Sequence, residues 1–291
     1  MKKALSALLA LLLLLSAGAA ARAEEAAYTY KKLDDGASYM SDSLTYSIET
    51  GKLNGTKVYV TRLWLKDPGK QIIKKTAQYH QHLATAEGLA KKVPGAVLVI
   101  NGSGYISGAY PWIPENYPGV GKDYYYTPLG SLVVTDGEVI RNLEGVPYYG
   151  LTLEADGLHL YVDADNEEVL SRDPIQTWSF YVECPLIRNG ESILDRENWP
   201  FAKRKAIRTI LAQVDPHNFV ILIVTSSHGL PLTVCTDYLL GEFQPEWAYN
   251  LDGGPSTKFM RRKQGGKKLA MIYAGENKIV DIMAFVELPE E

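Results

Sequence analysis

Short stretches that alternate apolar and polar residues recur along this chain and are separated by turn-forming residues. Residues 44–48 and 57–65 alternate in this way across a turn rich in Gly and Asn. Residues 131–135 and 138–142 do so across Asp136-Gly137. Alternation with a period of two residues is typical of half-buried strands, and Asp-Gly is a strong hairpin signal. The sequence therefore predicts a fold built from many short strand pairings.

Other segments extend this pattern. The continuous apolar run 96–100 predicts a central strand covered on both faces. Further strands are predicted at 149–154, 158–163, 178–183, 206–213, 219–225, 248–251 and 278–287. Helical spacing of apolar residues is found at 76–92, and residues 233–241 predict a short helix. We expect an α+β fold with a strand-rich mixed-sheet core and few helices.

The first 23 residues predict an export signal. Lys2 and Lys3 precede the apolar run 4–15, and small residues occupy the cleavage positions at Ala21 and Ala23. We expect a secreted, extracellular or cell-envelope-associated protein with no stable membrane insertion after signal cleavage, since no second apolar run approaches about 18 residues. Residues 24–55 are predicted to form an N-terminal arm and first strand, loose over 24–43. Residues 56–289 form the main predicted domain.

Composition excludes some function classes. The chain has 46% hydrophobic and 22% charged residues and a net charge of −4, which predicts a folded globular protein and no nucleic-acid partner. The most basic stretch, 258–268, surrounds two glycines and predicts a hairpin tip, with a polyanion patch as the alternative. Cys184 and Cys235 are compatible either with one disulfide or with two buried thiols.

Two strand candidates end in the same way, with an asparagine or aspartate followed by glycine. One end carries Asn101 and Gly102, and the other carries Asn250, Asp252, Gly253, Gly254 and Ser256. Side chains alternate along a strand, so those of Asn250 and Asp252 project from one face about 6–7 Å apart. The two glycines could adopt positive φ and expose N–H groups to an anion. Asp252 is then a candidate general base or nucleophile, although Asp-Gly-Gly-Pro also suits an ordinary turn.

Arginine, histidine and aromatic residues supply further candidates. Arg204 and Arg208 begin an apolar strand and could bind phosphate, or they could be a solvated strand start. His228 is a candidate substrate contact or a strand-end histidine, and no Gly-x-Ser-x-Gly motif accompanies it. Tyr105 and Trp112 lie in a Gly- and Pro-rich aromatic segment, 102–128, whose length is typical of a binding loop.

Metal-binding patterns are weak in this sequence. His80 and His82 are two residues apart on the predicted helix, which points them to opposite sides. The acidic stretch 163–168 has a Glu where a calcium loop requires Gly. We therefore predict no cofactor and leave a divalent metal open.

The order of these motifs resembles the phosphodiester glycosidase family, from about residue 56 to residue 287. The strongest points are Ala248-Tyr-Asn-Leu-Asp-Gly-Gly-Pro-Ser256 and Val99-Ile-Asn-Gly102. Supporting points are Pro128-Leu-Gly130, Arg204-Lys-Ala-Ile207 and Val280-Asp-Ile-Met-Ala-Phe285. The chain departs from the family pattern at Lys205, Arg208 and Pro255, and at 226–228, where Asp-Gly-Arg is usual.

The resemblance implies hydrolysis of a sugar-1-phosphodiester, with a carbohydrate or glycan-phosphate substrate. In that scheme Asp252 is the base or nucleophile, and Asn101 and Asn250 orient sugar or water. Arg204 and the backbone at 253–254 would hold phosphate, and Ser256 would donate a hydrogen bond. One alternative is a non-catalytic glycan-binding protein of the same fold. Another is an ordinary glycosidase with paired carboxylates, in which Glu154 or Glu183 supplies the second acid.

Overall fold

The computed structural model describes residues 28–106, 125–180, 184–225 and 228–289. The predicted signal, Trp112, Glu183 and the Ser226-Ser227 pair lie outside these residues. The strands in the described part are β1 Tyr30–Met40, β2 Leu44–Leu53, β3 Thr56–Leu65, β4 Ile72–Thr76, β5 Ala96–Asn101, β6 Leu132–Thr135, β7 Glu138–Asn142, β8 Tyr148–Glu154, β9 Gly157–Ala164, β10 Gln176–Ser179, β11 Pro185–Arg188, β12 Glu191–Ser192, β13 Arg208–Asp215, β14 Asn218–Val224, β15 Trp247–Asn250, β16 Lys258–Arg262, β17 Leu269–Ala274 and β18 Asp281–Val286. The helices are α1 Pro68–Gln71, α2 Ala86–Ala90, α3 Asn166–Leu170, α4 Pro200–Lys203 and α5 Leu232–Phe243, with a 3-10 turn at Gly254–Ser256.

Within the described residues the strands form four sheets. The largest has eight strands in the order β1-β2-β3-β14-β13-β15-β11-β12, and the next has five in the order β17-β16-β5-β18-β4. Smaller sheets contain β10-β8-β9 and β6-β7. The strand-rich α+β class with few helices is confirmed, and the described pairings are antiparallel rather than mixed.

The main core lies between the two large sheets. Leu211 and Ile221 of the eight-stranded sheet pack in one buried cluster with Leu98 and Phe285 of the five-stranded sheet. The alternate residues of β13 and β14 pack on the opposite face in a second cluster, which includes residues of α5. Helix α2 covers the outer face of the five-stranded sheet in a third cluster. Both large sheets are therefore covered on both faces near their centres, which fixes the ends of β5 and β15 firmly.

Many of the predicted elements are confirmed. The hairpins at 131–142 and 149–163, the buried strand at 96–100, and the helix at 233–241 are present. The basic stretch 258–268 is also a hairpin tip, because β16 pairs antiparallel with β17. Neither Cys184 nor Cys235 forms a disulfide, and both are buried. Burial raises the pKa of the Cys235 thiol to about 12, so this thiol is neutral at physiological pH.

Two predictions of local structure are wrong. Residues 24–43 include the strand β1, which pairs with β2. This strand lies at the edge of the sheet and is exposed on nearly every residue, so it lacks apolar alternation. The helix predicted over 76–92 is limited to Ala86–Ala90, where the Thr85 side chain accepts a hydrogen bond from the N–H of Gly88. Part of the apolar spacing belongs to a strand contact instead, since Ala84 pairs with Ile279.

The topology brings the ends of β5 and β15 together, although they belong to different sheets. The N–H of Asp252, just beyond β15, donates to the carbonyl of Gly102, just beyond β5, at 3.1 Å. The N–H of Leu251 donates to the carbonyl of Thr209 on β13 at 2.9 Å. The first bond joins the two sheets where the candidate site lies, and the second continues the pairing of β15 with β13 within the eight-stranded sheet. Within the described residues, no helix has the length and apolar character needed to cross a membrane.

Candidate active site

A cavity of about 310 Å³ opens at this junction of the two sheets. Most of the residues predicted from sequence line it, namely Tyr105, Arg204, Asn250, Asp252, Gly253, Gly254 and Ser256. Arg208, which the sequence offered as a possible phosphate ligand, also lines it, and the structure adds Phe180, Trp199, Phe201 and Asn277, which were not predicted as site residues. The lining thus combines one carboxyl group, two guanidinium groups and several aromatic rings. A concave site with a few polar groups among apolar ones is typical of small-ligand binding.

Asp252 is the acidic group of this cavity. It is only 9% exposed, and its Oδ1 accepts a hydrogen bond of 2.8 Å from the N–H of Gly253. The pKa of Asp252 is raised to about 7, chiefly by burial and in smaller part by the charge of Asp281. The Ser256 hydroxyl, the Gly253 N–H and the Lys258 ammonium oppose this rise. A carboxyl group with a pKa near neutrality can both accept and release a proton at physiological pH.

Asn101 and Gly102 lie behind Asp252 rather than on the cavity wall. The Asn101 amide donates to the carbonyl of Asp252 at 2.7 Å. Its Oδ1 accepts from the Thr209 hydroxyl at 2.8 Å and from the Lys258 N–H at 3.0 Å. Asn101 is 1% exposed and is not among the described residues that line the cavity. Asn101 is therefore not placed to contact a sugar or water in the cavity, and its hydrogen bond suits holding the Asp252 backbone.

Asn250 has the opposite surroundings. It is 1% exposed and lines the cavity, and its Oδ1 is buried without a hydrogen-bond partner in the described structure. Its Nδ2 lies 3.7 Å from the Cys184 sulfur. A buried acceptor without a partner costs free energy of folding. Asn250 and Asp252 share the cavity, as the strand alternation predicted, and Asn250 offers an acceptor to a ligand O–H or N–H.

The glycines at 253–254 do not leave their N–H groups free for an anion, in contrast to the expectation. The N–H of Gly253 donates to Asp252, and that of Gly254 donates to the Ile207 carbonyl at 2.9 Å. The next residue, Pro255, has no N–H. The glycines are instead needed for space and conformation. A Cβ on Gly253 would lie 2.6 Å from the Ile207 oxygen, and Gly254 has a φ of +58°.

The two arginines occupy different environments. Arg204 is exposed, and its guanidinium lies over the Phe201 ring at 5.6 Å from the centroid. Arg208 is 7% exposed. Its Nη2 donates to the carbonyls of Arg204 and Phe201 at 2.8 and 3.2 Å, and its Nε lies 3.5 Å from the Leu230 oxygen. The cation deeper in the cavity is therefore Arg208. The sequence left Arg204 and Arg208 open as phosphate ligands or a solvated strand start, and the family resemblance gave the phosphate to Arg204.

Aromatic rings form much of the remaining wall. Trp199 and Phe201 lie on either side of the start of α4, with ring centroids 5.9 Å apart. No periodic pattern in the sequence marked these two residues. Tyr105 lines the cavity, and its hydroxyl donates to the Lys278 carbonyl at 2.8 Å. His228 is exposed and is not among the described lining residues, so the structure does not bring it to the site.

The other candidate acids and metal ligands lie elsewhere. Glu154 is 2% exposed, binds Arg172 at 3.1 Å and does not line the cavity. Together with Asp156 and His159 it forms a group that could hold a cation among the described residues, but Arg172 already lies against both of its carboxylates. In the stretch 163–168, Asp165 caps helix α3 by accepting from the N–H of Glu167. His80 and His82 are not on a helix, because the helix predicted there is absent.

Comparisons with known proteins identify the family and the fold. The profile of the phosphodiester glycosidase family matches residues 94–285. The catalytic domain of zebrafish N-acetylglucosamine-1-phosphodiester alpha-N-acetylglucosaminidase, auto-inhibited by its pro-peptide, superposes with a TM-score of 0.65 at 16% identity over 90% of this chain and 88% of that chain. A hypothetical protein from Synechocystis gives a TM-score of 0.52 at 13% identity, over 89% and 64% of the respective chains. No curated protein sequence matches. At these identities the structural likeness shows a shared fold.

Proposed function

Because this chain belongs to the phosphodiester glycosidase family, we propose that it hydrolyses a sugar-1-phosphodiester and releases the sugar from a phosphate-bearing group. The observation that carries the proposal is a buried carboxyl group with a pKa of about 7 in the same cavity as two arginines. A phosphodiester has two chemical features that match these residues. Its anionic group matches the guanidinium groups, and its anomeric carbon reacts with water that a base activates.

The proposed reaction uses Asp252 as the general base. The ionised carboxylate takes a proton from a water molecule, and the water oxygen forms a bond to the anomeric carbon. The bond between that carbon and the phosphate oxygen breaks, and its electron pair leaves with the phosphate. A phosphate group leaves more readily than an alcohol, so the site needs no strong general acid. It needs positive charge near the leaving oxygens, and Arg204 and Arg208 are placed in the cavity that would receive them.

Neutral groups of the cavity suit the sugar. The partnerless Oδ1 of Asn250 can accept a hydrogen bond from a sugar O–H or N–H. The ring faces of Tyr105, Trp199 and Phe201 offer apolar surface for the C–H face of a sugar or for the group beyond the phosphate. With the predicted export signal, these features favour a glycan of the cell envelope or the extracellular space as substrate.

A non-catalytic glycan-binding protein is the second candidate function. It is favoured by Pro255, which removes an N–H from the glycine motif, and by the use of the neighbouring N–H groups within the protein. Such a protein would use the aromatic wall and Asn250 to bind sugar without turnover. Both functions would use the same cavity, but only the hydrolase would need the carboxyl group of Asp252.

The test is turnover of a panel of sugar-1-phosphodiesters by the full chain, followed by mass spectrometry with and without EDTA. We expect cleavage whose kcat/KM rises with pH through about 7, because only the ionised Asp252 can take the proton. Asp252→Asn should reduce kcat/KM by about 10²–10⁴-fold. Asp173→Asn is the matched control, since Asp173 is exposed and its φ of +51° is one that Asn tolerates.

Three outcomes separate the candidates. Loss of turnover in Asp252→Asn but not in Asp173→Asn supports the hydrolase. Retention of turnover in Asp252→Asn would contradict the role of this carboxyl group. Binding of sugar phosphates by the folded wild-type chain without cleavage would favour the glycan-binding protein. The EDTA series determines whether a divalent metal takes part.

A further inference from the structure

Arg208 is a buried cation without an acidic partner in the described part of the chain. Its guanidinium is held by carbonyl oxygens of Phe201, Arg204 and Leu230, all of them main-chain groups. The nearby groups that shift its pKa are two thiols and another arginine, and burial lowers the pKa. One of these thiols, Cys235, is neutral because its own pKa is raised to about 12. Within the described part of the chain, no acidic group therefore neutralises the positive charge of Arg208.

Such an arrangement is costly for a folded protein. Burying a charge without a counter-charge costs several kcal/mol, and buried charges are normally paired or bound to a ligand. A guanidinium group stays protonated in proteins, so loss of the proton does not relieve the cost. The structure therefore keeps an uncompensated positive charge at the wall of a cavity, where an anion can reach it.

The geometry of Arg208 leaves one edge of the guanidinium for that anion. Nε and Nη2 point to the main-chain carbonyls, whereas no hydrogen bond of Nη1 is formed within the described residues. The three carbonyls fix the plane of the group, so little conformational entropy is lost when an anion binds. Arg208 also lines the cavity together with Asp252.

The other groups that could bind an anion in this cavity are weaker or already donate hydrogen bonds within the protein. The N–H groups of Gly253 and Gly254 donate within the protein. Arg204 is exposed, so water screens its charge. Lys258 is 4% exposed, but its Nζ donates to the carbonyls of Gly275 and Pro255. Arg208 is thus the buried, pre-oriented cation in this cavity.

We propose that Arg208 is the phosphate-binding residue of the cavity and that it takes the place of the glycine N–H groups, which donate within the protein. The inference rests on the proposed function and adds the residue that binds the leaving group. The negative charge on the departing phosphate grows as the bond to the anomeric carbon breaks. A fixed guanidinium at that position stabilises the transition state more than the starting diester.

The experiment compares Arg208→Gln with Arg204→Gln in the full chain, using inorganic phosphate as the probe. Both changes remove one guanidinium and leave an amide, so they differ in position rather than in chemistry. Isothermal titration should show that Arg208→Gln weakens phosphate binding by about 10- to 100-fold, the range for a hydrogen bond to a charged group. Arg204→Gln should weaken it by less than about threefold. Arg208→Lys, which keeps the charge but not the fork, should bind about tenfold more weakly than the wild type.

Circular dichroism shows whether Arg208→Gln is folded. If it is not, phosphate binding by Arg208→Lys tests the proposal instead. Wild-type affinity in Arg208→Lys together with a loss in Arg204→Gln would overturn the proposal. So would the absence of phosphate binding by the wild-type chain, or unchanged binding by a folded Arg208→Gln variant.

The outcome for Arg208 is separable from that for the reaction. If phosphate binding depends on Arg208 but no sugar-1-phosphodiester is cleaved, the hydrolase proposal fails and the binding residue stands. If the diester is cleaved equally well by Arg208→Gln, the hydrolase stands and the role of Arg208 is wrong.

Discussion

The two strand ends that meet at the cavity have nearly the same sequence pattern and opposite polar surroundings. At the end of β5, both ends of the Asn101 amide are bonded, to Asp252, Thr209 and Lys258. At the end of β15, the Oδ1 of Asn250 has no partner in the described structure, and the adjoining acid has a pKa raised to about 7. The side-chain amide at the end of β5 therefore has hydrogen-bond partners on both its oxygen and its nitrogen. At the end of β15, by contrast, buried polar groups are held in unfavourable surroundings.

This difference indicates that the β5 end has a structural role and that the β15 end forms the binding site. A fully bonded amide stabilises the fold and orients what it contacts. A buried group that lacks its partners reduces stability unless a ligand supplies them, and such groups are concentrated at functional sites. The contrast predicts that substitutions at the β5 end chiefly lower stability. At the β15 end they should lower activity while leaving stability unchanged or increasing it.

The largest effect on stability is expected for Asp252→Asn at high pH. The folded pKa of Asp252 is about 7, well above the ordinary value of 3.8, so the folded chain holds this proton more tightly than the unfolded chain. The stability of the wild type therefore falls as the pH rises from about 4 through 7. Asparagine removes this loss, and the variant should be more stable than the wild type by up to about 4 kcal/mol at pH 8.5.

Urea unfolding of both chains at pH 4.5, 7 and 8.5 measures this effect. The difference in free energy of unfolding should be small at the lowest pH and increase at each step. Asp173→Asn, at an exposed position, is the control for the same chemical change. A constant or decreasing difference for Asp252→Asn would mean that Asp252 is not buried as an acid of raised pKa.

The next effect is the loss of stability in Asn101→Ala. This change removes three hydrogen bonds. The carbonyl of Asp252 and the N–H of Lys258 lose the partner that Asn101 supplies, and the hydroxyl of Thr209 keeps only its 3.4 Å contact with the Thr257 hydroxyl. We expect a decrease of about 2–4 kcal/mol in the free energy of unfolding, measured in urea at pH 6. Asn101→Asp is the matched variant, since it keeps an acceptor but loses the donor. Stability within about 0.5 kcal/mol of the wild type in Asn101→Ala would contradict the scaffold role.

The features of the fold and the site that could be predicted from the sequence are those that depend on residues close together in the chain. The strands β2, β3 and β5 and the helix α5 follow from apolar spacing, and the pairing of Asn250 with Asp252 on one face follows from strand alternation. Edge strand β1 was missed because both of its faces are largely exposed, so no apolar alternation marks it.

The sequence could not decide between Arg204 and Arg208 as the phosphate ligand, because the burial and orientation of Arg208 depend on distant residues. The segment 203–208 resembles a solvated strand start, and the carbonyls that hold the guanidinium come from helix α4, from the loop after it and from Leu230. Trp199 and Phe201 were missed for the same reason, since a four-residue helix has no periodicity to read. The occupied N–H groups of the glycine motif likewise follow from pairing with Ile207, which only the fold reveals.

The smallest effect on stability, and the sharpest test of the contrast, is expected for Asn250→Ala. Its Oδ1 has no partner, and its Nδ2 has only a weak contact with the Cys184 sulfur. Removing the amide relieves an unsatisfied acceptor while leaving a small void, and these effects nearly offset each other, so stability should change by less than about 1 kcal/mol. The lost acceptor should raise KM for the sugar phosphodiester by about tenfold, as expected for one missing hydrogen bond to a bound ligand. Urea unfolding and steady-state kinetics on the same preparation decide the matter. If Asn250→Ala loses as much stability as Asn101→Ala, the two strand ends are both scaffold, and the cavity acceptor must be sought elsewhere.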